Sequence, residues 1–581
     1  MNALTASAAI ASGRVKLANV RQRSLVEAKV RVLGVAFLFL CAGIAAIVRI
    51  LQLGFFEEAP ERRSLAEALL PPRGEITDRN GVPLARAFPA YALWYNPKAL
   101  GENGSPLVKS PEEVASALMQ IFPDADYKDL LRRLKSDRPS YLRNRVMPEE
   151  ANRIFALGEP ALEFPRENQR YYPQGSLGAH VLGYVDGEGH GHVGMEQVLE
   201  KRLLDPTQRG RPIALSIDMR VQGALEDELG RGMLETEAKG AAGVILDVDT
   251  GEVVALASLP SFNPNRSDMA FNDLVFNKVT NQVYELGSTF KPLSVAAAID
   301  AGVVTDLSVR YPSDRPLEIG GFRIRDSHSF GASLNVPEAL IHSSNIVTAQ
   351  VADKLGGPAL KRTMAALGMN ERPYIELPAR GFPLWPRGHE KTGEWARITT
   401  MTVSYGHGIA VTPLHLAAAY AAMVNGGVWR PATLYKVDPA KAPEGRRVFK
   451  ASTSARMRQL LRMIVVDGTG KPANAPGFRV GGKTGSAEKP GGRGGYNRTS
   501  LVATFAAAFP MDKPRYVVIA MLDEPKGTAA TSYQRTAAWN AAPIVGRVVP
   551  RIGPFLGVVP DGTRDIDISD LSPLVGNGEG E

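Results

Sequence analysis

The chain has a single cysteine in 581 residues, Cys41, which rules out a disulfide framework and a thiolate metal site. Its eight histidines form no ligand set. The nearest approach, His190-Gly191-His192, lies in glycine-rich surroundings that read as a loop. No metal or cofactor is therefore expected. Aromatic residues make up 7%, and no basic run is interleaved with them, so the net charge of +8 does not mark a nucleic-acid groove. Near the N-terminus, Val32 to Val48 runs only 17 residues without a charge, about 25 Å as a helix and just short of a hydrocarbon core. Arg49 can snorkel while Ile50, Leu51, Leu53, Phe55 and Phe56 complete the crossing. Residues 1–31 carry Arg14, Lys16, Arg21, Arg23, Lys29 and Arg31 against Glu27, which predicts a cytoplasmic basic arm. A single-pass transmembrane helix over residues 32–53 comes next, with the rest of the chain outside. A basic region this long argues against a cleaved signal peptide.

What is present is an S-x-x-K at Ser288-Thr289-Phe290-Lys291, followed by Pro292 and a helix-forming run. A serine hydroxyl needs a base within reach to act as a nucleophile. Residues three apart share a helix face, so the Lys291 amine is expected beside Ser288 at a helix start. Backbone N–H groups there favour developing negative charge. A second match, Ser486-Ala487-Glu488-Lys489, runs into Pro490-Gly491-Gly492 and cannot open a helix.

Two further short motifs recur. Of three S-x-N triplets, Ser261-Phe262-Asn263 is a turn between prolines, and Asn335 of Ser333-Leu334-Asn335 is explained as a helix cap with Glu338. Ser343-Ser344-Asn345 lies between two helices, where a hydroxyl and an amide can relay a proton and hold a substrate. Of two K-T-G triplets, Lys391-Thr392-Gly393 sits in a polar loop. Lys483-Thr484-Gly485 is flanked by glycines and followed by β-rich runs, so a substrate can approach its backbone closely.

The remaining pattern is α+β. Gly243–Val248 and Glu252–Ser258 form one β-rich pair, Leu501–Phe509 and Tyr516–Leu522 another, with helices between them. An Asn80-Gly81 hairpin turn comes first, and residues 110–160 alternate short amphipathic helical patterns with Pro and Asp breaks and suggest a small mixed lobe. A glycine-rich tract, a strand Ile213–Ile217 and a helix capped by Asp218 follow. The acidic tail, 561–581, reads as disordered.

The three motifs in this chain order resemble the signature set of penicillin-binding proteins and serine β-lactamases, with Ser343 55 residues after Ser288 and Lys483 140 after Ser343. The segment Arg73 to Gly81, the tract Tyr172-Pro173 to His180, Leu182 to Val185 and Gly194-Met195-Glu196 resemble the pedestal of class B members. Ser404-Tyr405-Gly406-His407-Gly408 with Thr412-Pro413-Leu414 is similar to the division-specific, FtsI-type branch. The resemblance implies a pedestal domain over 60–230 and a transpeptidase domain over 240–550, built on an antiparallel five-stranded sheet with a helical subdomain. It implies Ser288 as nucleophile, Lys291 as general base and Ser343 as proton relay. Asn345, Lys483, Thr484, Gly485 and Ser486 would bind the donor peptide, with the N–H groups of Ser288 and Ser486 as oxyanion hole. The partners it implies are peptidoglycan stem peptides and lipid-linked glycan strands, β-lactams as covalent inhibitors, a polytopic glycan polymerase of the SEDS type and other division proteins, at the inner membrane. Ser486 stands where threonine is usual, and Leu286 replaces a common proline. The motifs are shared by D,D-carboxypeptidases, β-lactamases and β-lactam sensors, by scaffold members of a division complex, and by elongation-type transpeptidases.

Overall fold

The computed structural model describes residue 29, residues 31–47 and, with interruptions at 100, 102–106, 187–188, 267–272 and 492–494, residues 73–575. Residues 31–47 are helical. Among the described residues no helix is long and apolar enough to cross a membrane, and the remainder of the expected span, 48–53, lies outside them. The chain from Pro71 onward forms one unit.

Its first part is built on two strands joined by a tight turn, β1 (Ile76–Thr77) and β2 (Pro83–Tyr95). Gly81 takes φ +86° in the turn, a backbone angle that costs glycine little. Strand β3 (Ser140–Val146) lies antiparallel to β2, and β4 (Ile213–Ala214) lies parallel to β1. The expected strand Ile213–Ile217 is thus cut to two residues, because the Ser216 N–H goes to Leu434 O and the Ser216 Oγ to Val253 O. Beneath the sheet, Glu196 is fully buried between Arg73 Nε at 2.8 Å and Arg170 Nε at 2.7 Å, and Arg73 also pairs with Glu200. Gly183, at φ +75°, has no room for a side chain: a Cβ would lie 1.7 Å from the carbonyl oxygen of Val193. Gly183 and Gly194 thus let the backbones around Leu182 and Val193 touch.

The 78–81 turn docks on the chain between Asp218 and Glu252. Asp78 Oδ2 accepts from Met219 N, Asn80 Nδ2 donates to Asp218, and Arg79 pairs with Glu252 at 3.1 Å. Asp218 also caps α1 (Met219–Glu235) by accepting from Arg220 N.

From Gly240 a sheet takes over, with β5 (Gly240–Asp247), β6 (Val253–Leu259), β7 (Gly481–Pro490), β8 (Tyr496–Phe509) and β9 (Tyr516–Asp523). Its order is β7-β8-β9-β5-β6, antiparallel throughout. One face is covered by α1 and α7 (Ala541–Ile552), which pack Leu225, Leu229, Ile544 and Val548 against Ile245, Phe505 and Val518. The other meets the inserted helices: α2 (Lys291–Asp300), α3 (Val336–Ile341), α4 (Asn345–Leu355), α5 (Pro413–Val424) and α6 (Ala451–Asp467). Strand β7, bearing Lys483 and Thr484, is an edge, so one side of its backbone is free to pair with an extended peptide.

The tail departs from expectation. Residues 561–575 are a packed strap, and only 576–581 lie outside the described residues. Asp565 pairs with Arg462 at 2.6 Å, Asp570 pairs with Arg456, Leu571 is buried, and Leu574 O accepts from Asn335 Nδ2. Acidic residues meant to keep a segment in water are here matched by the basic face of α6.

Candidate active site

Three elements bring the motif residues together. Gly287–Phe290 is a single 3-10 turn, and α2 begins at Lys291, not at Ser288. Pro292 sits in the first turn of α2, where its missing N–H costs nothing. Ser288 is half-buried at the surface of this turn, and Lys291 is fully buried beneath it. Tyr420 of α5 fixes the turn from behind, its hydroxyl donating to Thr289 O at 2.8 Å. On the other flank, β7 presses directly on the turn: a Cβ on Gly485 would lie 2.4 Å from Leu286 O and 2.7 Å from Thr289 Cγ2. Gly485 therefore serves the site by lacking a side chain.

Ser343 ends α3 with φ +63°, an uncommon angle for serine. This places its carbonyl and hydroxyl over two buried amines. Lys291 Nζ donates to the Ser343 carbonyl and, at 3.2 Å, to its Oγ. Lys483 Nζ, also fully buried, donates to the same Oγ at 2.9 Å and to Thr484 O at 3.1 Å. The expected contact of Lys291 with Ser288 is replaced by one with Ser343, because the αL turn carries that carbonyl into the amine's reach. Thr484 Oγ1 shares a hydrogen bond of 2.8 Å with Thr469 Oγ1. Asn345 opens α4, its Nδ2 donating to Arg325 O at 2.9 Å. The Ser486 hydroxyl accepts from Ala537 N at 3.0 Å.

The electrostatics result from burial. Removal from water, then the nearby charge of Lys483, holds the Lys291 amine well below its ordinary pKa; Asp326 works the other way. Burial lowers Lys483 to about 7. Among the described residues neither lysine has a carboxylate ion-pair partner. Two desolvated amines sharing one hydroxyl form a proton-transfer unit in which one amine is neutral at moderate pH. Acylation of Ser288 that needs Lys291 neutral and Lys483 charged has a bell-shaped pH dependence whose limbs belong to the coupled pair. Stopped-flow acylation across pH is expected to show one limb near pH 7. Lys483→Arg, whose charge does not titrate in this range, removes that limb.

Sequence reasoning missed three groups here: Tyr420, Thr469 and Asp326. Asp326 Oδ1 accepts from Asn345 N at 2.5 Å and Ile346 N at 3.1 Å, and its Oδ2 accepts from Ser344 Oγ at 2.6 Å. It is the anion at the N-terminus of α4 and the clamp on the S-x-N turn. No local pattern announces an aspartate about 20 residues upstream. Asp326→Asn is expected to cost on the order of 1–3 kcal/mol of that positioning, a fall of roughly 10- to 100-fold in the acylation rate constant. An unchanged rate in stopped flow would remove Asp326 from the site. The decoys stand apart: Lys391 is exposed, and Lys489 is held by Asp523 and by Glu524 at 2.9 Å.

A nucleophile candidate on a tight turn, two buried amines and an edge strand together suit serine acyl transfer. Residues 241–545 match the penicillin binding protein transpeptidase domain, and residues 68–205 the penicillin-binding protein dimerisation domain. The chain is 39% identical to the probable peptidoglycan D,D-transpeptidase FtsI of Caulobacter vibrioides, over 87% of this chain and 84% of that one. It is 30% identical to peptidoglycan D,D-transpeptidase FtsI of Escherichia coli K12 over 94% of both. A crystal structure of penicillin binding protein 3 from Mycobacterium tuberculosis with aztreonam shares the fold, with a TM-score of 0.65, 23% identity, and coverage of 86% of this chain and 99% of that one. The chain belongs to the penicillin-binding protein transpeptidase family, and its dimerisation domain ahead of the catalytic one places it in class B.

Proposed function

We propose that this chain is a division-type peptidoglycan D,D-transpeptidase acting through an acyl-enzyme on Ser288. The observation that carries this reading is the convergence of Lys291 and Lys483, both fully buried, on the Ser343 hydroxyl beside the Ser288 turn and the edge strand β7. In this account a donor stem peptide lies along β7 with its terminal carboxylate at Lys483 and Thr484. Neutral Lys291 accepts the Ser288 proton as Oγ attacks the penultimate D-alanine carbonyl. Ser343 passes a proton to the departing D-alanine nitrogen, and the C–N bond breaks to leave an ester on Ser288. The N–H groups of Ser288 and Ser486 would stabilise the oxyanion. Attack by an amine of a neighbouring stem forms a new C–N bond, returns Ser288 and makes a 4→3 cross-link. A β-lactam acylates the same oxygen and remains attached.

The cellular setting belongs to the same proposal. Residues 32–53 would anchor the chain in the inner membrane, the basic arm 1–31 inside and the catalytic domain outside. There it would work beside a SEDS-type polymerase and other division proteins, with the pedestal over 60–230 as spacer. The test is to incubate the full-length protein with nascent, uncross-linked glycan strands and analyse the digested products. The expected result is 4→3 cross-linked dimers that vanish with penicillin. Release of D-alanine with tetrapeptide as the sole product would make it a carboxypeptidase instead.

A further inference from the structure

Immediately upstream of the nucleophile lies a group of side chains that the acyl-transfer chemistry above does not use. Glu285 stands three residues before Ser288. Its Oε1 accepts from Gly408 N at 3.0 Å and from the Tyr496 hydroxyl at 3.2 Å. Its Oε2 is buried and has no hydrogen-bond partner among the described residues, and the same holds for His407 Nδ1. The His407 ring packs between two tyrosines, 5.3 Å from Tyr405 and 5.7 Å from Tyr496 between ring centroids. The segment carrying His407 is tied to the nucleophile turn, since Gly287 N donates to Gly406 O and a Cβ on Gly406 would lie 2.1 Å from Gly287 O. Gly408 and Tyr496, both bonded to Glu285, are exposed, so this group of side chains borders solvent close to the Ser288 turn.

A buried carboxylate oxygen with nothing to accept from is costly unless a donor arrives with the substrate. The donor that suits a carboxylate, an imidazole lone pair and two aromatic rings together is a primary ammonium, which gives three N–H bonds and interacts favourably with ring faces. Glu488 of β7 adds a second negative charge within range of both His407 and Tyr496, and Lys291 lies within range of the imidazole as well. Burial, helped by Lys291 and opposed by Glu285 and Glu488, holds His407 below its ordinary pKa, which favours the neutral ring with a lone pair to accept a hydrogen bond.

We infer that the recess formed by Glu285, Tyr405, His407 and Tyr496 is a subsite for a primary ammonium of the peptide substrate. This rests on the transpeptidase reading, in which both the donor and the acceptor stems can carry a side-chain amine. Strand geometry brings the donor amine within reach. A peptide with its carboxylate at Lys483 and Thr484 and its reacting carbonyl at Ser288 extends about 3.3 Å per residue toward Glu488 and Tyr496. The residue before the reacting one then lies alongside the recess.

The experiment has two arms, both on the full-length protein, with penicillin labelling and thermal unfolding as controls for an intact site. The first measures Ser288 acylation by synthetic peptide thioester donors carrying lysine or its amine-free isostere norleucine before the reacting D-alanine. A donor subsite gives roughly a tenfold preference for lysine in wild type, and the preference falls to near one in Glu285→Gln and in His407→Phe. The second supplies the norleucine donor with a lysine-bearing acceptor peptide over a range of concentrations and measures the ratio of cross-linked to hydrolysed product. An acceptor subsite gives a half-saturating acceptor concentration that rises roughly tenfold in Glu285→Gln. No lysine preference in the first arm and an unchanged half-saturating concentration in the second, with penicillin labelling intact, overturn the subsite. Loss of penicillin labelling in wild type would instead overturn the acyl-transfer reading itself.

Discussion

Lys291→Met, in full-length protein, acylates with benzylpenicillin about three orders of magnitude more slowly than wild type while remaining folded. The size reflects the loss of a positioned general base, which contributes roughly 10²- to 10⁴-fold. The retained fold reflects burial. Lys291 is fully buried without a paired carboxylate among the described residues, so an apolar side chain of similar volume removes a desolvation cost instead of leaving a buried charge unpaired. Lys291→Arg is expected to be equally slow, because guanidinium cannot become the neutral base. Stopped-flow acylation beside a thermal melt separates the two effects. A Lys291→Met protein acylating within tenfold of wild type would remove Lys291 from the proton transfer.

Glu196→Ala is expected to destabilise the fold by about 3–5 kcal/mol, because it leaves the Arg73 and Arg170 guanidinium groups buried with no shared carboxylate. Glu196 is fully buried, whereas Glu200, the other acid on Arg73, is partly solvent-exposed and cannot replace it on Arg170. The loss should fall on the part of the chain before Met219, read as a lower-temperature transition in calorimetry. A melt within about 1 kcal/mol of wild type would mean that the two arginines find water or other acceptors when Glu196 is gone.

The motifs that the structure brings together were legible because each is local. S-x-x-K, S-x-N and K-T-G each fit within one turn or one strand, and glycine and proline placement separated Lys483 from Lys391 and Ser288 from Ser486. Asn335 with Glu338 announced α3, and Asp218 announced α1, because caps are read within four residues. Contacts across the fold were not legible. Tyr420 reaches Thr289 from 131 residues away, and Asp326 clamps the Ser343–Asn345 turn across about 20 residues with no periodicity to mark it. The direct bond of Lys291 to Ser343 depends on one serine taking a left-handed backbone angle, which composition does not specify. The tail was misread for the converse reason. Asp565 and Asp570 look like solvating charges until α6 supplies Arg462 and Arg456.

The most direct test of the account is to treat the full-length protein with benzylpenicillin and map the adduct by peptide mass. The account predicts a single, slowly released acyl group on the peptide that carries Ser288, absent from Ser288→Ala and present in a Ser486→Ala control. An adduct that persists in Ser288→Ala, or none on folded wild type, would contradict it.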